Sequence, residues 1–273
     1  MVCRTGGRRG ILSCVTLVLV CLVLFTAFSE VLMPATGKKT KKNGSMVIDF
    51  SNQESGYVMV KASNKKKLKL RVKMGDNLTL DYDLRNDGQF EVIPLQYGSG
   101  KYNFTLYSNV SGKKYAEAGK MTLSVTMEDE NSCFLYPNQY VNYDEKTSSV
   151  VEAESLCKGK TDARDIYDTV CNFMRTSFTY DYIKAATIKS GIMPDIEGAW
   201  KKHMGICQDL SAIMVSMLRS QGVPAKLMIG TLGTSTYHAW VSVIINGEEI
   251  MFDPTAAISG VDGNQTYTLE RFY

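Results

Sequence analysis

Gly205-Ile206-Cys207-Gln208-Asp209-Leu210-Ser211-Ala212 opens a stretch that runs on to Gln221 and stops at Gly222-Val223-Pro224. Leu210, Ile213, Met214, Met217 and Leu218 recur at the i, i+3, i+4, i+7, i+8 spacing of one helix face. Gly222 is the residue expected at C′, and Pro224 cannot continue a helix because it has no N–H and its ring clashes with the preceding turn. Gly205 breaks the chain just ahead, so Cys207 falls at or beside the helix N-terminus. Unpaired backbone N–H groups and the positive end of the macrodipole meet there. A thiolate is stabilised at such a place, and the same N–H groups can receive a developing oxyanion. Alone, the residue reads first as a buried structural cysteine, the commoner fate of a free thiol. The residues downstream of Pro224 decide between the two.

After Pro224 come a strand, Ala225 to Gly230, a loop through Gly233, and a second strand. The second strand, Tyr237-His238-Ala239-Trp240-Val241-Ser242-Val243-Ile244-Ile245, is rich in β-branched residues. Asn246-Gly247 is a two-residue hairpin signal, and Glu248-Glu249-Ile250-Met251-Phe252-Asp253-Pro254-Thr255 is the return. With those two residues as the turn, Ile245 faces Glu248 and Ser242 faces Met251. Pairing outward puts Trp240 opposite Asp253 and His238 opposite Thr255. His238, Trp240 and Asp253 then share one face, with His238 and Asp253 as diagonal neighbours roughly 7–8 Å apart, a gap side chains can bridge. A carboxylate so placed orients an imidazole and stabilises its charged form. The chain has two histidines. The other, His203, lies four residues before Cys207 on the entering segment, with no evident carboxylate to orient it.

Upstream, Thr161 to Phe178 reads as a helix capped near Thr161 or Asp162, with Ile166, Val170, Phe173 and Met174 as its buried stripe. Asp195 to His203 reads as a short helix leading into the Cys207 helix. From Met46 to about Met127 the period is two instead. Leu68, Leu70, Val72 and Met74 alternate with Lys67, Lys69, Arg71 and Lys73. Leu78, Leu80, Tyr82 and Leu84 do the same, as do Phe104 and Leu106, then Met121, Leu123, Val125 and Met127. About seven such runs, separated by Gly, Asn, Asp and Ser, point to a small antiparallel β-sandwich. Its basic face at Lys65 to Lys73 suits an anionic polymer or plain solvent.

At the N-terminus, Arg4, Arg8 and Arg9 precede an uncharged apolar run from Ile11 to Phe28. It has about the length of a membrane span, and Ala27-Phe28-Ser29 resembles a cleavage site. As anchor or as signal peptide, it exports the body from the cytoplasm. Residues 30–45, with Lys38, Lys39, Lys41 and Lys42, read as a flexible basic linker able to touch anionic lipid or wall polymer. The expected division is thus 1–29 signal or anchor, 30–45 linker, 46–130 β-sandwich and 131–273 a mixed α and β domain. A net charge of +3 gives no footing for nucleic acid, and two histidines make a His-based metal cluster improbable. Seven cysteines, three of them in the N-terminal segment, leave room for one disulfide in the body once Cys207 is set aside as a working thiol.

Taken together, Gly205-Ile206-Cys207-Gln208-Asp209-Leu210-Ser211, Gly222-Val223-Pro224-Ala225-Lys226, His238-Ala239-Trp240-Val241 and Asp253-Pro254-Thr255 resemble the transglutaminase-like superfamily. The resemblance covers roughly Asn131 to Tyr273 and implies an α+β, papain-like core. In that core a nucleophile helix packs on an antiparallel sheet that carries the base and the acid. By match, Cys207 is the nucleophile, His238 the base and Asp253 its orienter. Trp200 reads as packing and Asp209 as a cap on the helix. Tyr180, Tyr182 and Gln208 are the candidates for a second oxyanion donor. No cofactor and no metal are expected. The implied reaction is acyl transfer on protein or peptide amides through a thioester, resolved by an amine or by water. A cysteine peptidase or amidase, acting on peptides that include those of a cell wall, is the alternative. A non-catalytic surface-binding protein is the third reading, and three intact residues of a triad speak against it.

Overall fold

The alternating runs of the N-terminal half become two antiparallel sheets. The computed structural model describes residues 32–77, 79–189, 191–260 and 265–273. In chain order the first strands are β1 (Thr40–Asn43), β2 (Met46–Asp49), β3 (Tyr57–Lys61), β4 (Leu68–Met74), β5 (Leu80–Leu84), β6 (Glu91–Pro94), β7 (Gly100–Ser111) and β8 (Lys114–Val125). One sheet runs β1-β2-β3-β6 and the other β5-β4-β7-β8. In β4, Leu68, Leu70 and Val72 are buried while Arg71 and Lys73 are exposed, as a period of two requires. The basic face there is partly neutralised across the sheet: Lys69 lies 2.7 Å from Asp83 and Arg71 lies 2.8 Å from Asp81.

Part of the stretch expected as flexible linker is a strand. Gly44 takes φ +59, suited to the first position of a two-residue hairpin turn, and β1 pairs with β2 from Asn43↔Met46 to Thr40↔Asp49. The apolar run 11–28, its preceding arginines and Leu78 lie outside the described residues. Among the described residues no helix is long and apolar enough to cross a membrane.

The second half mixes helix and sheet, and the protein is α+β. Its elements are α1 (Ser148–Leu156), α2 (Ala163–Ser177), β9 (Thr179–Tyr180), α3 (Tyr182–Thr187), α4 (Ile196–Lys202), β10 (Met204–Gly205) and α5 (Cys207–Ser220). Next come β11 (Ala225–Leu232), β12 (Thr236–Ile245), β13 (Glu248–Phe252), α6 (Pro254–Ser259) and β14 (Tyr267–Phe272). Asp162 caps α2, accepting from the N–H groups of Arg164 and Asp165 at 2.9 and 3.1 Å. The last sheet is antiparallel in the order β13-β12-β11-β14. Asn246 and Gly247 both take positive φ, 53° and 80°, as the tight turn between β12 and β13 demands.

α5 lies on β11 and β12 and is covered elsewhere by α1, α2, α4 and α6. One apolar face was therefore too narrow an expectation: Cys207 and every residue from Asp209 to Ser220 are buried. A helix enclosed on all sides has no solvent stripe, so its polar side chains must find partners inside. Ser216 Oγ lies 2.7 Å from Ser149 Oγ on α1. Arg219, wholly buried, donates to the carbonyl oxygens of Ala225, Tyr136 and Tyr273 at 2.9, 2.7 and 2.9 Å. Burial draws its pKa down to about 10. Gly222 takes φ +76 just past the helix end, the C′ role read from the sequence. A single buried cluster extends from Met46 to Tyr273. Among the described residues Cys133, Cys157, Cys171 and Cys207 are all free thiols, so the disulfide that composition allowed is not formed.

Candidate active site

Cys207 is the first residue of α5, directly after the N-cap Ile206. Its position is fixed by Asp209 in the same first turn. The fully buried Asp209 carboxylate accepts from Ile206 N at 3.1 Å and from Asp195 N at 2.9 Å, and Lys184 Nζ lies 2.6 Å from it. Asp209 is thus the cap expected of it, and it also joins α3, the start of α4 and α5. Gly205 sits in a close approach: a Cβ there would meet Asp209 Cβ at 3.0 Å and Ala199 Cβ at 3.1 Å.

His238 is buried on β12, and its Nε2 lies 2.7 Å from Asp253 Oδ2. The pair forms by a different route from the one the hairpin implied. Register runs one for one from Ile245↔Glu248 through Ser242↔Met251 to Val241↔Phe252, and there it stops. Trp240 does not pair with Asp253, nor His238 with Thr255. Pro254 has no N–H for the ladder, and its fixed φ suits the first helical position. The chain therefore turns into α6, with Asp253 as N-cap. Asp253 Oδ1 accepts from the N–H groups of Thr255 and Ala256 at 2.9 and 3.1 Å, which leaves Oδ2 for the imidazole.

A residue the sequence reading missed completes the group. The Tyr267 hydroxyl, on β14, donates to the same Asp253 Oδ2 at 2.8 Å. Trp240 packs on Tyr267 with ring centroids 5.0 Å apart and lies nearly parallel to the His238 ring, 6.4 Å away at 16°. Tyr267, Leu269 and Arg271 do alternate with Thr268 and Glu270, which was the available signal.

With Nε2 committed to Asp253, Nδ1 is the ring nitrogen left for Cys207, which also favours the charged form of the imidazole. Burial opposes charge on the ring, but hydrogen bonding to Asp253 and to Cys207, and the negative charge of both, outweigh it. They push His238 up to about 9. Burial also resists ionisation of Asp253. Hydrogen bonds from His238, Tyr267 and the Ala256 N–H prevail and hold its carboxyl below the usual value. His203 stands apart, in the left-handed region at φ +49, its Nδ1 3.1 Å from Ser177 O and its ring against Phe178 and Trp200. Trp200 stacks on Phe173 at 5.7 Å, a packing residue as read.

Cys207 lines a cleft of about 630 Å³. Ile188, Lys189, Ile192 and Pro194 border it, as do Tyr140, Ile229, Tyr237 and Arg271. Of the three oxyanion candidates, Tyr182 is 72% exposed and Gln208 Nε2 donates to Ile192 O at 3.1 Å. Tyr180 shares the cleft with Cys207, and its hydroxyl is pushed up to about 12, by burial first and then by Cys207. A smaller cavity of about 330 Å³, bordered by Met59, Phe90 and Tyr143, shares no residue with this cleft.

Residues 152–254 match the model of the Transglutaminase-like superfamily. This region is similar to a transglutaminase-like core. Cys207, His238 and Asp253 all fall within it, while Tyr267 and Arg271 lie beyond its end. The chain is also similar to several solved structures. A candidate cysteine protease from Cytophaga hutchinsonii is 12% identical, with 87% of this chain and 82% of that one aligned at a TM-score of 0.40. The periplasmic domain of TgpA from Pseudomonas aeruginosa, solved with ethylmercury, is 12% identical over 72% of this chain and 92% of its own, at 0.38. The transglutaminase of red sea bream is 13% identical over 73% of this chain and 48% of its own, at 0.30. The chain thus spans about half of the red sea bream enzyme. No curated protein matches the sequence.

Proposed function

We propose that this protein is an exported transglutaminase-like cysteine enzyme that transfers the acyl group of a protein or peptide amide through a thioester on Cys207. The observation that carries the reading is the Asp253 carboxylate 2.7 Å from His238 Nε2, with Cys207, at the start of α5, near enough to help raise the pKa of the same ring.

In this mechanism Cys207 attacks the amide carbonyl carbon as a thiolate, beside a His238 that already carries its proton. The oxyanion is received by the unpaired N–H groups of the first turn of α5 and by the Tyr180 hydroxyl. The imidazolium gives its proton to the leaving nitrogen. The C–N bond breaks, and ammonia or an amine departs, leaving the thioester. An incoming amine then loses a proton to His238 and attacks the thioester, and sulfur leaves as thiolate. Water in place of the amine gives deamidation or peptide cleavage by the same steps.

Export is supported by the apolar run from Ile11 to Phe28 behind three arginines. Lys38, Lys39, Lys41 and Lys42 are exposed and suit an anionic membrane or wall surface. The test is incubation with a glutamine-containing peptide and a labelled amine, with mass spectrometry of the acyl adduct in wild type and Cys207→Ala. Amine incorporation that depends on Cys207 is the expected result. Ammonia release or cleavage without incorporation moves the assignment to a cysteine amidase or peptidase. Absence of any adduct leaves a binding protein.

A further inference from the structure

The cleft in front of Cys207 is cationic. Among its described lining residues are Lys189 and Arg271 and no carboxylate. Arg271 is held in place from the cleft side: its Nη2 donates to the Tyr237 hydroxyl at 2.6 Å, and its guanidinium lies 5.8 Å from the centre of the Tyr237 ring. The one acidic partner of Arg271 among the described residues, Glu270, is 3.7 Å away on the exposed side of β14 and does not line the cleft. A pair that solvated neutralises little of the charge facing inward. Ile192 and Tyr237 also line the cleft while remaining 54% and 51% exposed. They give it an apolar rim on which an extended peptide can lie.

We infer that this cleft selects an acyl donor carrying a carboxylate close to the amide that is attacked, and that Arg271 is the specificity-determining residue that reads it. The inference rests on the reaction proposed above and names its substrate class: an acidic peptide, or a peptide whose free α-carboxylate adjoins the scissile bond. A planar guanidinium presents paired donors to a carboxylate, and Tyr237 sets the fork before the substrate arrives.

Alkylation of Cys207 tests the inference without requiring turnover. Iodoacetate and iodoacetamide both lose iodide to the sulfur and differ in one negative charge. The rates are followed on the Cys207 peptide of the full chain by mass spectrometry, with free cysteine as reference. Loss of one charge-assisted contact is worth about tenfold, so Arg271→Gln should lower the iodoacetate-to-iodoacetamide ratio about tenfold. Arg271→Lys should restore most of it, and rising salt should depress the wild-type ratio. Because His238 is unchanged in all three proteins, its charge cancels from the comparison. An Arg271→Gln ratio equal to wild type overturns the inference. A glutamine peptide panel that crosses Glu against Gln beside the donor with an acid against an amide C-terminus then separates a side-chain from a terminal carboxylate. Sorting of the two reagents with no turnover of any peptide keeps the cationic site and ends the proposed function. Turnover indifferent to charge does the reverse.

Discussion

Tyr267 donates its hydroxyl hydrogen to Asp253 Oδ2 at 2.8 Å, the oxygen that also holds His238 Nε2 at 2.7 Å. Tyr267 is a positioning residue: it acts on the imidazole only through the carboxylate. Tyr267→Phe takes one donor from Asp253, which makes the carboxylate more basic and tightens its hold on the imidazolium proton. It also leaves the carboxylate freer to swing. The expected outcome is a fall in kcat of about tenfold with KM within about twofold, the size of one lost hydrogen bond to a charged group. The basic limb of the pH–rate profile should move upward. A purely structural role would lower the melting temperature and leave that limb where it was.

The pH dependence has a definite sign. His238 is raised from 6.5 to about 9, with burial opposing and Asp253 and Cys207 prevailing. Its imidazolium therefore persists through neutral pH and is lost as pH rises through about 9. The stability it contributes is complete below 6.5 and disappears above about 9. Asp253→Asn keeps a capping oxygen for α6, since Asn and Asp cap comparably, and removes the negative charge. The limb should descend toward 6.5, and the rate at pH 8 should drop by at least about 100-fold. Ammonia release from a glutamine peptide, followed from pH 5 to pH 10, reads both. A limb still near 9 in the variant would mean that Asp253 is not its cause.

The sequence carried the helix at Cys207, its stop at Gly222, and the register of the hairpin as far as Val241↔Phe252. These depend on local rules, namely helix periodicity, C′ geometry and a two-residue turn. It joined His238 to Asp253 through strand pairing that does not exist. Alternation of side chains describes a strand, and nothing in alternation announces that Pro254 will start a helix with Asp253 as its cap. Alternation marks Tyr267 as a strand residue, but its place beside Asp253 was out of reach because β14 pairs with β11 at the sheet edge, on a chain path that no local pattern dictates. The burial of α5 on every side was hidden for the same reason. Five leucine-like positions announce one apolar face, and only the placement of α1, α2, α4 and α6 shows that the opposite face is covered too.

Lys184 and Asp209 provide a test of how the nucleophile is held. Their charged atoms are 2.6 Å apart, with Asp209 fully buried and the Lys184 side chain 28% exposed. Lys184→Met strands a carboxylate that retains only its two N–H donors, from Ile206 and Asp195. Breaking a buried pair costs about 3–5 kcal/mol, and the partial exposure of Lys184 argues for the lower end. For a body of this size, about 3 kcal/mol corresponds to a fall in melting temperature of roughly 6–12 °C. Calorimetry checks the size of the effect. Because Ile206 precedes Cys207, the alkylation rate of Cys207 should fall with it; an unchanged rate would separate the ion pair from the site.

Arg219 anchors the other end of the same helix, and its three carbonyl partners come from three separate parts of the chain. Arg219→Ala takes the guanidinium donors away from the buried carbonyls of Ala225, Tyr136 and Tyr273. At about 1–3 kcal/mol for each weakened group, the loss should be about 4 kcal/mol or more, read from the urea midpoint. Arg219→Lys distinguishes geometry from charge. Lysine keeps the positive charge but has a single nitrogen, which cannot span three acceptors set around a planar fork. It should recover less than half of the loss. Full recovery would mean that the field of the charge, rather than the three directed hydrogen bonds, ties α5 and its cysteine to the sheet.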